Sequence, residues 1–394
     1  MTTVARPQRG TRPANRRALI VAAATELFCT RGYEHVAMGD IAEAVAVGPS
    51  ALYRHFAGKH ELLQEVVFNG LDSVTAVVSA MEFADTDRSL LDVAELAVTS
   101  RHIGVLVERE GRHLSADAQT RLRDASQNVA RRLADFLETV RPDLDENGRD
   151  LFAWMILGVV VSPSFYQSEL SAKEQARLLA ELAGRILTAP APVGFAVGPR
   201  RRRPAGILPH SRREALLQQA IRLFAERRYA SVGIEDVAAS LGIAGPSVYN
   251  HFASKADLLA TALSRGAGYL YTKASDVLAA STTPAEAIGG LVTSYVEFAA
   301  GHPALVDLLM TEVRNLPEPH RDAALAAQRD YVEEWVHLLR QSRPDLTDST
   351  GTLQVQAVLT LVNYVVRVHH LQSVTGISPA VSATCRHLLG LPPG

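Results

Sequence analysis

The chain has 394 residues, which is too many for one small domain and suits two to four domains with sizeable cores. It holds 40 Lys and Arg against 42 Asp and Glu, and this near balance excludes a polycation that coats DNA or membranes along its whole length. Any binding to nucleic acid must come from local basic clusters.

The N-terminal segment and the cysteines indicate a cytoplasmic protein. Residues 1–17 are basic but contain no apolar core, so we expect no signal peptide. Cys29 and Cys385 lie far apart in apolar helical patterns, as reduced core thiols do. The most apolar run, 151–161, is about half as long as the roughly 20 residues that span a bilayer. We therefore expect a cytoplasmic protein.

Three helices are predicted near the N-terminus. Apolar residues at three- and four-residue spacing mark a helix over 16–30, and Gly32 supplies its left-handed cap. A second helix covers 38–45, and Pro49 suits the first position of a third helix over 50–55. This arrangement is typical of a helix-turn-helix motif, whose second helix enters the major groove of DNA.

The rest of the first half is helical and ends in a linker. Residues 151–157 are apolar enough to be buried on more than one side, which suits a helix packed on its own core and on a partner. Residues 190–209 are rich in Pro and Gly and lack a helical period. The linker also carries four consecutive arginines, Arg200, Arg201, Arg202 and Arg203.

The second half repeats the first. Residues 27–33 (LFCTRGY) align with 223–229 (LFAERRY), and the register stays 196 residues apart through the following helices. The sequence Arg-Pro-Asp-Leu at 141–144 recurs at 343–346, which is 202 residues later. The second copy therefore contains a short insertion, which we expect near 300–303.

The second head has different capping residues. Ser211 and Glu214 form a capping box before its first helix, Gly242 occupies the turn, and 246–251 form the second recognition helix.

The predicted domains are a basic arm (1–13), a first DNA-binding head (14–74), a first helical regulatory domain (75–189), the basic linker (190–209), a second head (210–270) and a second regulatory domain (271–394).

One motif occurs in both heads and carries a family resemblance. In the first head it reads Asp40-Ile41-Ala42, then Leu52-Tyr53-x-His55-Phe56-x-x-Lys59-x-x-Leu62-Leu63. The second head matches it from Asp236 to Leu259. The motif resembles the DNA-binding domain of the TetR/AcrR family. The fused arrangement, with Arg101, Glu108-Arg109-Glu110 and Leu114-Ser115 after the first head, resembles the double-TetR regulators of actinobacteria.

The resemblance implies the fold and the function. The expected fold is all-α, with two tandem units that each carry a three-helix head and a larger helical domain for ligand binding and pairing. The expected function is sequence-specific binding of double-stranded operator DNA, as a repressor released by a small hydrophobic ligand of lipid, sterol or acyl-CoA type. No cofactor and no membrane contact are implied. One chain is expected to form a pseudo-dimer by itself, and an operator can hold more than one chain.

The resemblance also places the DNA-contacting residues on the two recognition segments. They are Gly48, Pro49, Ser50, Ala51, Tyr53, Arg54 and His55 in the first head, Ala244, Gly245, Pro246, Ser247, Tyr249, Asn250 and His251 in the second, and Lys59 and Lys255 on the helices that follow. The tyrosines and lysines suit phosphates. Arg54 matches the guanine edge and Asn250 the adenine edge, so the heads should read different half-sites. The phenylalanines Phe56 and Phe252 should be core.

Two basic arms precede the heads. They include Arg12, Arg16 and Arg17 in the first arm and Arg200 to Arg203 in the second. Such arms lie along phosphates or enter a minor groove, and the alternative is a solvated tail.

Three positions depart from the family pattern. Family members commonly carry Thr at the N-cap of the second helix, where Ala37 and Gly233 stand here. Arg228 replaces the glycine usual after the first helix, although arginine is costly in a left-handed conformation.

Aromatic residues of the regulatory domains are candidates for a ligand pocket. They are Trp154, Phe165 and Tyr166 in the first unit and Tyr295, Phe298, Trp335 and Tyr364 in the second. Aromatics at helical spacing also serve as ordinary core residues, so both roles stay open.

The sequence also bears on other classes of function. The sequence has no Gly-rich phosphate loop, no Gly-x-Ser-x-Gly and no metal-binding Cys or His motif, so an enzyme is not expected. A ligand-binding or protein-interaction regulator in which only the first head binds DNA is an alternative, and the sequence is equally compatible with an activator in place of a repressor.

Overall fold

A computed structural model of the chain describes residues 16–192, 196–197 and 207–392. Within them the fold is almost entirely helical, which confirms the all-α prediction. The chain divides into two compact units. The first consists of residues up to Phe136 together with Val161–Gln167, and the second of Leu137–Val160 together with the residues from Ser168 onward. Part of the first sequence repeat therefore belongs to the same compact unit as the second repeat.

The first repeat contains nine of the described α-helices. They are α1 (Arg16–Arg31), α2 (Met38–Ala44), α3 (Pro49–Leu52), α4 (Lys59–Ser79), α5 (Thr86–Thr99), α6 (His102–Val105), α7 (Ala116–Val140), α8 (Glu146–Val161) and α9 (Ala172–Thr188). A π-helical turn, Leu106–Glu110, follows α6.

The second repeat follows the same plan. Its helices are α10 (Arg212–Arg227), α11 (Ile234–Ala239), α12 (Lys255–Ala280), α13 (Pro284–Gly301), α14 (Pro303–Thr311), α15 (Glu318–Ser342), α16 (Asp348–Arg367) and α17 (Ile377–Leu388). The second recognition segment, Gly245–Asn250, is a 3-10 helix. A two-residue strand of the linker, β1 (Ala196–Val197), pairs antiparallel with β2 (Val374–Thr375).

Each head closes over an apolar core, as predicted. Phe28 and Phe56 are buried in the first head, and Phe224 and Phe252 are buried in the second. The apolar stripes of α1 and α10 point into these cores because their buried residues recur every three or four positions. Burying such side chains is the main source of stability of a small helical domain.

Two turns in each head require positive φ. In the first head they are Gly32 (φ 85°) and Ala46 (φ 54°), and in the second Arg228 (φ 73°) and Gly242 (φ 67°). Each head thus has glycine at one of these turns and a residue with a Cβ at the other. A Cβ makes a positive φ costly, on the order of 1–3 kcal/mol. Arg228, with ψ 144°, and the equivalent Gly32, with ψ 148°, lie outside the left-handed helical region, in backbone space that is close to glycine-only.

The insertion in the second repeat lies mostly inside a helix. Helix α13 has 18 residues, whereas α5 at the corresponding place has 14. The added residues lengthen α13 as far as Gly301, next to the predicted site of insertion. The turn at His302 and Pro303 then starts α14.

Helices of the two repeats pair within the second compact unit. Helix α8 crosses α16 so closely that a Cβ on Gly158 would lie 2.8 Å from the Leu361 Cα. The rings of Trp154 and Tyr364 lie 5.8 Å apart across the same crossing. Helix α9 packs against α16 and α17, and the Arg185 guanidinium donates to the Leu388 carbonyl at 2.8 Å. The pairing face expected of a TetR dimer is therefore formed inside one chain.

The repeated Arg-Pro-Asp-Leu motif closes the turn after α7 and after α15. Arg141 pairs with Asp143 at 2.7 Å, and Arg343 pairs with Asp345 at 2.7 Å. Each arginine also reaches the end of the last helix of its repeat, since Arg141 donates to the Leu187 carbonyl at 2.6 Å. The motif therefore ties three elements together in each repeat.

Over the residues that the structure describes, none of the helices combines the length and apolar character of a membrane span.

Candidate DNA-binding surface and regulatory core

The first recognition segment presents an exposed polar edge. Tyr53 is 54% exposed, and Arg54 beside it is also exposed. Ser50 and Gly48 are exposed as well, whereas His55 is half-buried. The neighbouring side chains Leu52 and Phe56 are buried and anchor the recognition segment in the core of the head. An exposed tyrosine next to an arginine can contact phosphates and bases without refolding the head.

The second recognition segment has the same arrangement with a different base-reading side chain. Tyr249 is 55% exposed, and the adjacent Asn250 is exposed where the first head has Arg54. Ala244 and Pro246 are exposed, and Gly245, Ser247 and His251 are half-buried. About half of each tyrosine side chain is therefore accessible to a binding partner.

Lys59 and Lys255 have partners inside their heads. The Lys59 ammonium donates to the Tyr33 carbonyl at 2.9 Å and lies 4.1 Å from the centre of the Tyr33 ring. Lys255 donates to the Tyr229 carbonyl at 2.8 Å and lies 4.2 Å from that ring. Burial lowers the pKa of both ammonium groups. Each lysine thus joins the start of the helix after the recognition segment to the turn after the first helix, and its predicted phosphate contact stays a prediction.

Arg17 also lies within the head. Its guanidinium pairs with Glu65, donates to the His55 carbonyl at 3.0 Å and covers the Phe56 ring at 4.4 Å. This contact set joins α1 to α4 and supports the recognition segment. Arg16 opens α1 and is half-buried. The other predicted arm residues, Arg12 and Arg200 to Arg203, lie outside the described residues.

The second helix of each head is capped without threonine. The Ala37 N–H donates to Asp40 Oδ2 at 2.7 Å, and the Gly233 N–H donates to Asp236 Oδ2 at 2.7 Å. These aspartates bind the backbone of the N-cap residue, which is one half of a capping box. Because neither Ala37 nor Gly233 has a side-chain hydroxyl, neither N-cap residue can offer a side-chain hydrogen bond to a phosphate.

The predicted pocket aromatics of the second repeat form a buried cluster. Tyr295, Phe298 and Trp335 are each at least 95% buried, and Tyr331 joins them. The Tyr295 hydroxyl donates to Asn363 Oδ1 at 2.8 Å, and burial raises the pKa of this phenol to about 12 despite that bond. The cluster is therefore apolar with one polar edge, which is the composition of sites for hydrophobic ligands.

The other predicted pocket aromatics lie elsewhere. Trp154 and Tyr364 face one another across the pairing of α8 and α16. Phe165 and Tyr166 follow α8 in the first unit, where the Arg101 guanidinium donates to the Pro163 and Tyr166 carbonyls. Burial raises the pKa of the Tyr166 phenol to about 12. The structure thus brings only three of the seven predicted pocket aromatics into one cluster, while Trp154 and Tyr364 belong to the pairing face.

An open groove of about 780 Å³ runs along α12 beside that cluster. Its walls include Arg265, Lys273 and His320, and Tyr269 forms part of its floor. The Tyr269 ring stacks on Phe298 at 5.3 Å, so one residue separates the groove from the buried cluster. None of the seven predicted aromatics lines the groove.

Sequence reasoning missed two buried glutamates. Glu110 and Glu312 are 2% and 3% exposed, and each accepts a hydrogen bond from the backbone of a head. The sequence marks Glu110 only as part of the Glu108-Arg109-Glu110 segment that resembles other fused regulators. The signal that identifies them is the repeat itself, because the two lie 202 residues apart, as the Arg-Pro-Asp-Leu motifs do.

Two small helix-turn-helix heads with exposed recognition edges, each joined to a larger helical domain, define a class of DNA-binding regulators. Comparison with known proteins agrees with this class. The description "Bacterial regulatory proteins, tetR family" matches residues 20–66 and 216–262, and "Tetracyclin repressor-like, C-terminal domain" matches residues 281–367.

One relative shows the family, and further similar proteins are of the same kind. The chain is 30% identical over 145 residues to the HTH-type transcriptional repressor KstR2 of Mycolicibacterium smegmatis, covering 35% of this chain and 71% of the relative. It is 34% identical over 96 residues to the transcriptional activator FasR of the same species, covering 23% of this chain and 44% of FasR. The solved structure of the ketosteroid transcriptional regulator KstR2 of Mycobacterium tuberculosis is 25% identical, with a TM-score of 0.41 and coverage of 46% of this chain and 95% of that one.

The chain belongs to the tetR family and carries two of its DNA-binding domains. It is a helix-turn-helix transcriptional regulator that binds DNA, and this membership excludes the enzyme alternative.

Proposed function

We propose that the protein is a two-headed repressor that reads an asymmetric operator and is released by a small hydrophobic ligand. The observation that carries the proposal is the pair Arg54 and Asn250. They occupy equivalent exposed positions in two heads of the same architecture. Arginine favours guanine O6 and N7, whereas asparagine favours adenine N6 and N7, so the two heads prefer different half-sites.

The remaining recognition residues set the position of each head on the duplex. Tyr53 and Tyr249 contact phosphates, because an exposed phenol can bind a phosphate oxygen but carries no sequence information. The other exposed or half-buried residues of the two recognition segments face the major groove of the DNA around these tyrosines. Lys59, Lys255 and Arg17 support these segments through their internal contacts.

Pairing within the chain supports action by one chain at one operator. The crossing of α8 and α16 supplies the face that in an ordinary TetR dimer comes from a second chain. Because one polypeptide joins both halves, their effective concentration is high and pairing does not depend on protein concentration. The chain works where its DNA is, in the cytoplasm at the nucleoid.

The ligand site is proposed in the second regulatory domain. The cluster around Tyr295, Phe298 and Trp335 supports this assignment, and the matched C-terminal family domain spans most of it. The first repeat carries Val129 and Leu133 where the second has Tyr331 and Trp335. A lipid, sterol or acyl-CoA type of ligand suits an apolar cluster with one polar edge. The protein is released from DNA when the ligand binds most tightly to a conformation whose heads are wrongly spaced for the operator.

The direction of regulation is proposed from the relatives. The KstR2 relative is a repressor and shares a longer aligned segment than the activator FasR. A fusion of the promoter to a reporter tests this direction, since deletion of a repressor raises expression and deletion of an activator lowers it.

A glutamate placed in each head tests whether both heads bind DNA, because its negative charge repels the phosphates. We expect Arg54→Glu and Asn250→Glu each to abolish protection of one half-site in a footprint of the upstream DNA. Arg123→Glu, on the exposed face of α7, is the matched control and should leave both half-sites protected. If only Arg54→Glu weakens binding, the protein is a regulator with one working head. If neither does, the proposed recognition surface is wrong.

A further inference from the structure

In the first repeat, a buried carboxylate of the regulatory region holds the head. Glu110 ends the π-helical turn that packs against α1 and α4. Its Oε2 accepts the Tyr33 N–H at 2.9 Å, and its Oε1 accepts the Arg109 Nε–H at 2.6 Å. Tyr33 directly follows the glycine turn at the end of α1. The carboxylate therefore lies between the regulatory region and the chain just before the helix-turn-helix motif.

The second repeat has the same contact with different neighbours. Glu312 follows α14, which packs against α10 and α12. Its Oε1 lies 3.4 Å from the Tyr229 nitrogen, and its Oε2 accepts the Asn315 side-chain N–H at 2.5 Å. Asn315 stands where the first repeat has His113, so the glutamate recurs although its surroundings have changed.

The lysines bind the carbonyl groups of the same two tyrosines. The Lys59 ammonium donates a hydrogen bond to the carbonyl of Tyr33, and the Lys255 ammonium donates one to the carbonyl of Tyr229. Each lysine begins the helix that directly follows a recognition segment. Glutamate, tyrosine and lysine thus form a continuous link from the regulatory region to the recognition segment. We call the two links the first latch (Glu110, Tyr33, Lys59) and the second latch (Glu312, Tyr229, Lys255).

We propose that Glu110 and Glu312 are positioning residues for DNA binding, each of which couples its own regulatory region to its own head. A buried carboxylate without hydrogen bonds is costly, so it stays with its donors when the segment that carries it shifts. A shift of the turn at Glu110 or of α14 is thereby transmitted to the tyrosine, and through the lysine to the recognition segment. The inference rests on the proposed use of both heads.

The test compares alanine and glutamine variants at both positions in the full chain. Alanine removes the acceptor, whereas glutamine keeps an oxygen for the tyrosine N–H. Glu95→Ala, an exposed glutamate of α5, is the control. Hydrogen exchange reports the backbone around each tyrosine, and footprinting reports each half-site.

We expect Glu110→Ala to speed exchange at 33–36 and 46–55 and to weaken protection of one half-site. Glu312→Ala should do the same at 229–232 and 242–251 and at the other half-site. The loss of operator affinity should be on the order of 5- to 150-fold, as for coupled sites in general. Glu312→Gln should restore binding because the Asn315 amide can turn its oxygen toward the new NH₂ group. Glu110→Gln should restore it in part, since Arg109 loses an anionic partner.

Wild-type affinity in both alanine variants would overturn the proposal. Equal loss at both half-sites from either variant would also overturn it, because that result reports general unfolding. If the wild-type chain protects no half-site at all, the proposed function fails separately. The latches are then judged by exchange alone, and unchanged exchange at 46–55 and 242–251 in the alanine variants would overturn them.

Discussion

Gly158 on α8 faces Leu361 on α16 at a distance that leaves no room for a side chain. A Cβ at position 158 would lie 2.8 Å from the Leu361 Cα and 3.3 Å from the Tyr364 Cβ. The backbone of the first repeat therefore contacts the backbone of the second directly. This close approach fixes the pairing of the two halves of one chain.

A larger residue at this crossing should weaken the pairing. Gly158→Leu forces α8 away from α16, and such overpacking costs typically about 1–3 kcal/mol. We expect a lower melting temperature and faster proteolysis near α8 and α16. The matched control is Gly268→Leu on α12, where a Cβ meets no atom within 4 Å, and it should leave stability unchanged or higher. Equal stability of both variants would contradict the close pairing.

Glycine should stabilise the two turns at which a residue with a Cβ has a positive φ. Ala46 adopts φ 54° in the first head, and glycine stands at the equivalent turn of the second as Gly242. Ala46→Gly relieves the strain, and the gain is partly offset by the greater freedom of glycine in the unfolded chain, so we expect a net gain of about 0.5–1 kcal/mol.

Arg228→Gly should stabilise the second head for the same reason, since Arg228 has φ 73°. The reciprocal change Gly242→Ala should destabilise that head. Chemical denaturation of each variant measures the free energy of unfolding. Destabilisation by Ala46→Gly would show that the turn is not strained.

The Arg-Pro-Asp-Leu turns predict a dependence of stability on pH. Hydrogen bonds from Arg141 hold the pKa of Asp143 below its usual range, and Arg343 does the same for Asp345. A carboxyl with a lowered pKa in the folded state stabilises the protein above its unfolded pKa, about 3.9 for Asp, and this contribution is lost as the pH falls through the folded value. Asp143→Asn should therefore lower the melting temperature at pH 7.

The difference between wild type and Asp143→Asn should shrink as the pH falls below about 4. Asp135→Asn, which removes an exposed carboxylate of α7, serves as the control and should show a smaller difference at every pH. A difference for Asp143→Asn that stays constant down to low pH would mean that the turn does not depend on the charged carboxylate.

The two tryptophans allow the ligand site to be located by fluorescence. Trp154 lies at the pairing face and Trp335 in the buried aromatic cluster, and the chain has no other tryptophan. We expect titration with a fatty acyl-CoA or a sterol to change the emission of wild type and of Trp154→Phe, with one ligand bound per chain. Trp335→Phe should lose the change. If the change in emission is lost in Trp154→Phe and kept in Trp335→Phe, the ligand binds at the pairing face.

The heads were predictable from sequence because their signals are local. Helix α1, predicted over 16–30, covers Arg16–Arg31, and the second helix, predicted over 38–45, covers Met38–Ala44. The recognition segments are shorter or tighter than expected, since α3 ends at Leu52 and its counterpart is a 3-10 helix. Spacing of apolar residues determines which face is buried but not how tightly a short segment coils.

The internal contacts were not predictable because they join residues distant in sequence. The bond from Lys59 to Tyr33 and the bond from Tyr33 to Glu110 span 26 and 77 residues. Nothing in the local pattern distinguishes a lysine that binds a carbonyl from one that binds a phosphate. The aromatics raise the same difficulty, since Trp154 and Trp335 are both buried on long helices. Only the packing of α8 on α16 separates a pairing residue from a cluster residue.

One chain should carry two working heads that read different half-sites. The most direct test is to footprint the DNA upstream of the gene with the purified chain at several salt concentrations and to measure the mass of the complex. We predict salt-sensitive binding of one chain across two dissimilar half-sites. Two identical half-sites that require two chains, or no sequence-specific binding at low salt, would contradict it.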